Sequence, residues 1–274
     1  MISRILAISG YEFRIALRNR WLLIATSLMV LFSLALTFAG SAPTGVLGVD
    51  LLTVSVASMT TLSVYLLPLL ALLMSFDAIA GEVERGILAL VLTYPVSRGE
   101  LLLGKLLAHI AALAVAVFIG FTIAGAAAGL AGGASAESVA ALFRLSWSAV
   151  LLGASFLAIG YALSAVSRSS SAAAGLAIGV WILFVVLYDL GLLGALVYDS
   201  GGFFTKHVFP LMLVLNPADA FRIFNLSASG NMALAAGLAG ATGALPSWAV
   251  LASLLGWPLA ILALARLALK RVEP

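Results

Sequence analysis

Long apolar runs, separated by short polar segments, dominate the chain. A helix that crosses a bilayer needs about 20 mostly apolar residues. The runs that meet this length lie near Trp21–Phe38, Leu51–Phe76, Leu101–Leu130, Leu145–Val166, Ala172–Leu193 and Trp248–Ala265. They are too long and too uninterrupted for the strands of a membrane barrel, which alternate over about ten residues. The pattern therefore predicts an all-α membrane protein with six transmembrane helices, formed by residues 1–274 as a single domain.

Composition leads to the same class of protein. Hydrophobic residues make up 64% of the 274 residues and charged residues 9%, whereas soluble domains contain roughly 45–50% and 25%. So little polar surface cannot cover a soluble fold of this size. Because the chain has no cysteine, it contains no disulfide, thiolate metal site or catalytic thiol. The net charge of +3 does not indicate a nucleic acid partner, since the placement of charges matters more than their sum in a membrane protein.

The distribution of Lys and Arg sets the expected orientation. With the N-terminus inside, every Lys and Arg lies in an inner segment except Arg144, Lys206 and Arg222. Cytoplasmic segments of membrane proteins carry an excess of these residues. Both termini are therefore expected in the cytoplasm.

The first twenty residues, "MISRILAISGYEFRIALRNR", are too polar to span a membrane. At about 100° per residue, Arg4, Arg14 and Arg18 share one face of a helix, with apolar side chains opposite. This pattern predicts a basic amphipathic helix over residues 1–20, which lies on the inner membrane surface with its arginines near anionic lipid headgroups. A plain interfacial anchor and a helix that rests on a cytosolic partner are both compatible with these residues.

The densest group of charges lies between the second and third predicted spans, in "FDAIAGEVERGILALVLTYPVSRGELLLGKLLA". The stretch "GILALVLTY" is apolar enough for a short helix, and Pro95 ends it because proline disfavours helix in the residue before it. Residues 77–100 are thus predicted to form a short helix between acidic residues and a Pro-Val-Ser-Arg turn. The charged residues of this segment are Asp77, Glu82, Glu84, Arg85, Arg98 and Glu100.

Gly99, Gly104 and Lys105 have the G-x-x-x-x-G-K spacing of a phosphate-binding loop. Such a loop follows a strand and continues with Ser or Thr, whereas Leu106 follows here and the intervening leucines favour helix. The match is therefore interpreted as a coincidence at the start of the third span. We expect no ATP hydrolysis and no bound cofactor in this chain.

The same segment resembles the first inner loop of the membrane subunits of ABC exporters of the second type. The family pattern, roughly E-x-E-x-G-T-L, P-V-S-R and G-K, is matched by Glu82, Glu84, Gly86 and Leu88, by Pro95 to Arg98, and by Gly104-Lys105. Ile87 departs from the usual Thr. The resemblance implies that residues 77–100 are a cytosolic coupling loop, which seats in a cleft of a separate ATPase subunit that holds ATP and Mg²⁺. The implied coupling residues are Asp77, Glu82, Glu84, Arg85, Gly86, Pro95 and Arg98.

Within that family, the stretch "LNPADAFRIF" and the overall plan resemble the permeases of copper-processing transporters that serve nitrous oxide reductase maturation. The resemblance implies a homodimer in the bacterial inner membrane, a cytosolic ATPase and a periplasmic partner protein. The cargo, copper or a sulfur species, stays open. His109 and His207 are isolated, so the residues themselves predict no metal site.

Residues 194–247 form a long outer loop that mixes aromatic and charged residues. A helical piece broken near Asn216-Pro217 is expected there. Asn216, Pro217, Asp219 and Arg222 are candidates for a partner-docking surface or a gate, and a membrane-hugging loop is the alternative. Asp189 is expected to face water near the outer end of the fifth span.

Other functions remain compatible with parts of the pattern. An ATP-independent secondary transporter would show paired charges at mid-membrane and inverted repeats, and neither is recognisable in the sequence. The sequence is also compatible with a second alternative, a membrane scaffold for an assembly complex. The small-residue pairs Gly125–Gly129 and Gly175–Gly179 are expected to pack helices within one subunit.

Overall fold

The computed structural model describes residues 2–18, 20–39, 50–199, 201–227 and 246–269, and within these it contains helices and no strand. The amino-terminal half comprises α1 (Ile2–Arg18), α2 (Arg20–Ala39), α3 (Leu51–Ser75), α4 (Ala80–Glu84), α5 (Ile87–Val91) and α6 (Arg98–Gly132). The carboxy-terminal half comprises α7 (Ala136–Val166), α8 (Ser170–Trp181), a π-helical stretch Ile182–Leu187, α9 (Tyr188–Asp199), a second π-helical stretch Phe204–Val208, α10 (Phe209–Leu215), α11 (Pro217–Leu226) and α12 (Ser247–Leu269).

Five helical stretches in the described residues are long and apolar enough to cross a membrane: Leu51–Glu84, Arg98–Gly132, Ala136–Val166, Ser170–Asp199 and Ser247–Leu269. The prediction of an all-α, multi-pass membrane protein is confirmed. The first predicted span coincides with α2, which is not among these five stretches. The sixth crossing and the side on which the termini lie stay predictions.

The fourth predicted span begins earlier than Leu145, at Ala136, because Ser135 caps the helix. The Ser135 hydroxyl accepts the N–H of Ser138, and the Ser138 hydroxyl accepts the N–H of Ser135. Asp50 joins this cap to the start of α3, since its carboxylate accepts the N–H groups of Ser135 at 3.1 Å and Thr53 at 2.7 Å. Burial raises the pKa of Asp50, but these hydrogen bonds outweigh it and leave the pKa lowered.

The fifth predicted span also continues further than expected, through the π-helical stretch and α9 to Asp199. Asp189 lies within this continuous helix, in the first turn of α9. A π-helical stretch frees backbone carbonyls from the regular helical pattern. The Phe184 carbonyl accepts a hydrogen bond of 2.8 Å from the Asn216 side chain, which fixes the break between α10 and α11.

The core lies where α7 packs against α3, α6 and α12. Gly125 lets α6 approach α7, because a Cβ atom there would overlap the Leu142 side chain. The first small-residue pair thus packs within the subunit, as predicted. The prediction was wrong for the second pair, since a Cβ on Gly175 or Gly179 would meet nothing within 4 Å.

Residues 2–18 form the predicted N-terminal helix, and α1 packs along the start of α6. A Cβ on Gly104 would come within 2.6 Å of the Ile8 side chain, so glycine sets the closeness of this contact. Ala16 is buried against Ala112 and Ala116 of α6. The location of α1 at a membrane surface stays a prediction.

Candidate functional site

The start of segment 77–100 is fixed by residues of α7 and α8. The buried Ser164 hydroxyl at the end of α7 accepts the N–H groups of Ile79 at 3.0 Å and Ala80 at 2.9 Å. Asp77 accepts a hydrogen bond from the Ser170 hydroxyl at the start of α8 and one of 3.2 Å from Arg85. The connection from α3 into the segment is therefore held by side chains remote in sequence.

The middle of the segment consists of two short helices rather than the single one predicted. Glu84 at the end of α4 accepts the N–H of Ser170 at 3.1 Å. Gly86 then adopts a left-handed conformation, with φ of 69°, between α4 and α5. Side chains with a Cβ are disfavoured there. The glycine of the family pattern thus has a conformational role at this turn.

Lys105 joins the segment to α1 and α6. Its ammonium group lies 2.6 Å from the Glu82 carboxylate of α4 and 2.9 Å from the Glu12 carboxylate of α1. The Lys105 side chain is only 6% exposed. Because both acids and the lysine are largely withdrawn from water, loss of one partner leaves buried charge without compensation. The cluster therefore holds three elements in one arrangement.

The end of the segment is bound to both termini of the described fold. Arg4 donates a hydrogen bond of 2.8 Å to the Pro95 carbonyl. Arg98 donates one of 2.7 Å to the Leu269 carbonyl at the end of α12. Ser97 begins α6 through a reciprocal cap with Glu100. The stretch from Arg98 onward is regular helix, which confirms that Gly99–Lys105 does not form a phosphate-binding loop.

An apolar surface remains exposed on this otherwise fixed segment. Leu88 of α5 is buried, whereas Leu90 is 64% exposed and Tyr94 is 65% exposed. Ile87, at the position where the family has Thr, is exposed beside them. A cavity of about 650 Å³ lies between the segment, α1 and α6, and its charged lining includes Glu12, Asp77, Glu82, Arg85 and Lys105.

The structure brings most of the predicted residues of the segment into one region, but these residues contact different elements of the fold. Glu82 points inward to Lys105, and Glu84 binds the start of α8. Of the predicted interfacial arginines, Arg4 contacts the segment, while Arg14 and Arg18 are exposed.

Residues that the sequence did not single out are Glu12, Ser164 and Ser170, and Lys105 was noted only for its spacing and its match to the family pattern. Two signals for this cluster were available in the sequence: a lysine in an apolar helix and one acid among the arginines of α1. Both matter because intramembrane charges require partners.

The second predicted site lies on α9 and α11, and residues 228–245 of the predicted outer loop are outside the described residues. Pro217 is the first residue of α11, and Asn216 caps the helix by accepting the N–H of Ala218 at 2.9 Å. The predicted break is confirmed.

Arg222 lies 2.9 Å from the Asp189 carboxylate and 3.2 Å from that of Asp219. Asp189, which was considered singly in the sequence, is therefore paired with Arg222 of α11. Burial, followed by the negative charge of Asp189, raises the pKa of Asp219 to about 7, although Arg222 opposes this shift.

Comparison with known proteins shows similarity to membrane transport proteins. Residues 6–273 match the pattern of the ABC-2 family transporter proteins. A probable ABC transporter permease protein NosY from Pseudomonas aeruginosa is 44% identical over 267 residues, which cover 94% of each chain. A protein of the same description from Stutzerimonas stutzeri is 42% identical over 230 residues, which cover 82% of each chain. With a family match over nearly its whole length and these two relatives, the chain belongs to the ABC-2 family of transporter permeases.

Proposed function

We propose that this chain couples a separate cytosolic ABC ATPase to movement of a substrate, or of a mechanical signal, across the bacterial inner membrane. ATP and Mg²⁺ belong to the partner ATPase, and segment 77–100 is the contact through which its closure acts. Asp77, Glu82, Glu84, Arg85, Gly86, Pro95 and Arg98 shape and hold that contact. The family of the chain supports an ATPase partner in general.

The observation that carries this proposal is the combination of a fixed segment and an exposed apolar surface. Side chains of α1, α6, α7 and α8 bind the segment from several directions. Leu90 and Tyr94 remain exposed on it. Large apolar and aromatic side chains at the centre of an interface supply most of its binding energy. A rigid mount below such a surface transmits displacement to the helices rather than absorbing it.

Co-purification with the ATPase tests this contact. We expect Leu90→Ala combined with Tyr94→Ala to weaken retention of the ATPase by about tenfold or more, which corresponds to roughly 1.4 kcal/mol. The matched control is Leu130→Ala with Phe143→Ala, which removes an exposed leucine and an exposed aromatic residue at the opposite end of the helices. Undiminished retention by the first variant, at normal yield of folded protein, would contradict the proposal. Glu82→Ala is unsuitable because it also disrupts the Lys105 cluster.

We also propose that two copies of the chain work together, with a periplasmic partner protein, in copper-site maturation of nitrous oxide reductase. The similarity to two NosY permeases supports this assignment. In the part of the chain that the structure describes, no group of three or more His, Asp or Glu side chains could hold a metal ion. Copper is therefore treated as cargo or signal of the complex and not as a resident ion. In a strain that lacks its own permease, the chain should restore the copper content of the reductase, whereas unchanged copper would contradict the assignment.

The absence of cysteine allows a direct test of the second copy. Gly175 lies on an exposed face of α8 where a new side chain meets open space. We expect a single cysteine at this position to form a disulfide-linked dimer in membranes. Gly10, which also faces open space but lies on α1, is the matched second position for a single cysteine. The dimer would be contradicted if neither variant formed a disulfide-linked dimer and native mass measurements also gave a monomer.

A further inference from the structure

The charge cluster of α9 and α11 contains an oxygen atom that no donor reaches. Arg222 binds Asp189 and the Oδ1 atom of Asp219. The Oδ2 atom of Asp219 is buried and has no hydrogen-bond partner, and the Asp219 side chain is only 2% exposed. A buried carboxylate oxygen without a donor is costly, because it has lost its hydration without compensation.

Asp219 lies at a small cavity whose walls are mostly apolar. The cavity has a volume of about 140 Å³, and Asp189, Asp219 and Arg222 line it together with leucines such as Leu193 and Leu213. Asp189 and Asp219 both line this cavity and both contact Arg222. Two carboxylates that share one guanidinium leave one negative charge uncompensated in a poorly solvated place.

The chemistry of the cluster selects among possible occupants. A metal cation requires several ligands, six to eight oxygen atoms in the case of Ca²⁺. The described residues supply two carboxylates here, and the guanidinium beside them repels a cation. A proton requires only one oxygen to bind and one acceptor to receive its hydrogen bond. Asp219 and Asp189 provide both.

We propose that Asp219 is a proton-binding site whose Oδ2 atom takes one proton from water and donates it in a hydrogen bond to the Asp189 carboxylate. The O–H bond that forms consumes no other group, and Arg222 keeps its contacts with both acids. The cluster is then neutral. Loss of the proton returns one negative charge to it and makes the two acids repel each other, so the ionic contact between α11 and α9 depends on the pH at this end of the molecule.

The neighbouring groups are compatible with a single exchangeable proton. Asp189 is 25% exposed, so the proton exchanges with water through it. The other titratable groups that face the cluster are Tyr188 of α9 and Tyr65 of α3. The Tyr188 hydroxyl is already committed as a donor to the Met212 carbonyl of α10. Asn216 lies on the other side of Asp219 and favours its charged form.

Infrared difference spectroscopy of the full chain in lipid nanodiscs tests the proposal. We expect a carbonyl stretch of a protonated carboxylic acid near neutral pH, with a titration midpoint at about 7. Asp219→Asn should abolish the band, whereas Glu137→Gln, which removes an exposed carboxyl group at the start of α7, should leave it unchanged. Retention of the ATPase should be the same in all three proteins, so this result stands or falls separately from the proposed coupling contact.

Two further variants decide the question even if Asp219→Asn does not fold. Asp189→Asn removes the like charge and should lower the titration midpoint by about one pH unit or more. Arg222→Gln removes the opposite charge and should raise it. Absence of any carboxylic acid band near neutral pH overturns the proposal, as does a band that these changes leave in place. Loss of the band when Na⁺, K⁺ or Cu⁺ is added to the wild type identifies a cation site, and this result also overturns the proposal.

Discussion

Two regions of the molecule each place one cation between two carboxylates, yet only one of them contains a carboxylate that is almost wholly buried. Lys105 binds Glu12 and Glu82, whose side chains are 19% and 14% exposed and line a cavity of about 650 Å³. Arg222 binds Asp189 and Asp219, and the Asp219 side chain is 2% exposed beside a cavity of about 140 Å³. Each cluster leaves one carboxylate oxygen without a hydrogen-bond partner in the protein.

The comparison shows that one cation between two carboxylates can serve different purposes, depending on how far each carboxylate is buried. At the Lys105 cluster, the two acids join the first helix to segment 77–100. At the Arg222 cluster, burial shifts the balance toward a protonated Asp219. The first cluster therefore works as a permanent connection, and the second, as we propose, as a connection that depends on pH.

The largest effect is expected from removal of the cation at each cluster. Lys105→Met leaves two acids largely buried without a counter-charge, which should cost about 3 kcal/mol of unfolding free energy. Arg222→Met should cost less, roughly 2 kcal/mol, because Asp219 can retain a proton. Denaturant titration in mixed micelles at neutral pH measures both values.

The matched rescue for the lysine is Lys105→Met together with Glu12→Gln and Glu82→Gln, which removes all three charges. This variant should recover most of the lost stability, since no buried charge remains. Equal losses for Lys105→Met and Arg222→Met would remove the distinction between the clusters.

Ser164→Ala should have the next largest effect, because it leaves the N–H groups of Ile79 and Ala80 without their buried acceptor. An unsatisfied buried donor costs about 1–3 kcal/mol. We also expect faster hydrogen exchange at the amides of Ile79 and Ala80, with no change around Asp189. Ser155→Ala is the control, since the Ser155 hydroxyl only bonds within its own helix. Equal exchange in both variants would argue against the clamp on segment 77–100.

Gly104→Ala should loosen α1 with a smaller loss of stability. Overpacking against Ile8 costs roughly 1–3 kcal/mol, whereas replacing glycine by alanine in a helix contributes about 1 kcal/mol. We expect a net loss of about 1 kcal/mol and greater protease sensitivity of α1. Gly175→Ala has open space and should be neutral or stabilising. If Gly104→Ala behaved like Gly175→Ala, the close packing of α1 on α6 would be incorrect.

The second cluster should also make the stability of the chain depend on pH. The pKa of Asp219 is about 7 in the folded chain, against an ordinary value of 3.8. Between these values the folded state binds more protons than the unfolded state, so stability should fall as pH rises from about 4 to about 7 and then level off. Melting temperatures of the wild type and Asp219→Asn measure this contribution, which should be missing in the variant. A parallel pH profile for the two proteins would contradict it.

The sequence predicted a helix correctly where the residues of that helix themselves set its limits. Apolar length placed the cores of five spans, and proline placed the start of α11. The beginning of α7 was missed because the Ser135 cap outweighs the modest polarity of the residues after it. The fifth helix was predicted to end at Leu193, whereas it continues to Asp199. The pairing of Asp189 with Arg222 was missed because the two residues are 33 positions apart.

What the sequence by itself determined is the class of protein, its apolar helices, the charged segment 77–100 and the family. These follow from sequence because lipid requires every spanning segment to satisfy its own backbone and present apolar side chains. Only the tertiary structure decided which charges meet, since Lys105 pairs with Glu82 at 23 residues' separation and Arg222 with Asp189 at 33. The partner of a buried charge depends on which helix faces come together, and that depends on packing at positions such as Gly104 rather than on local sequence.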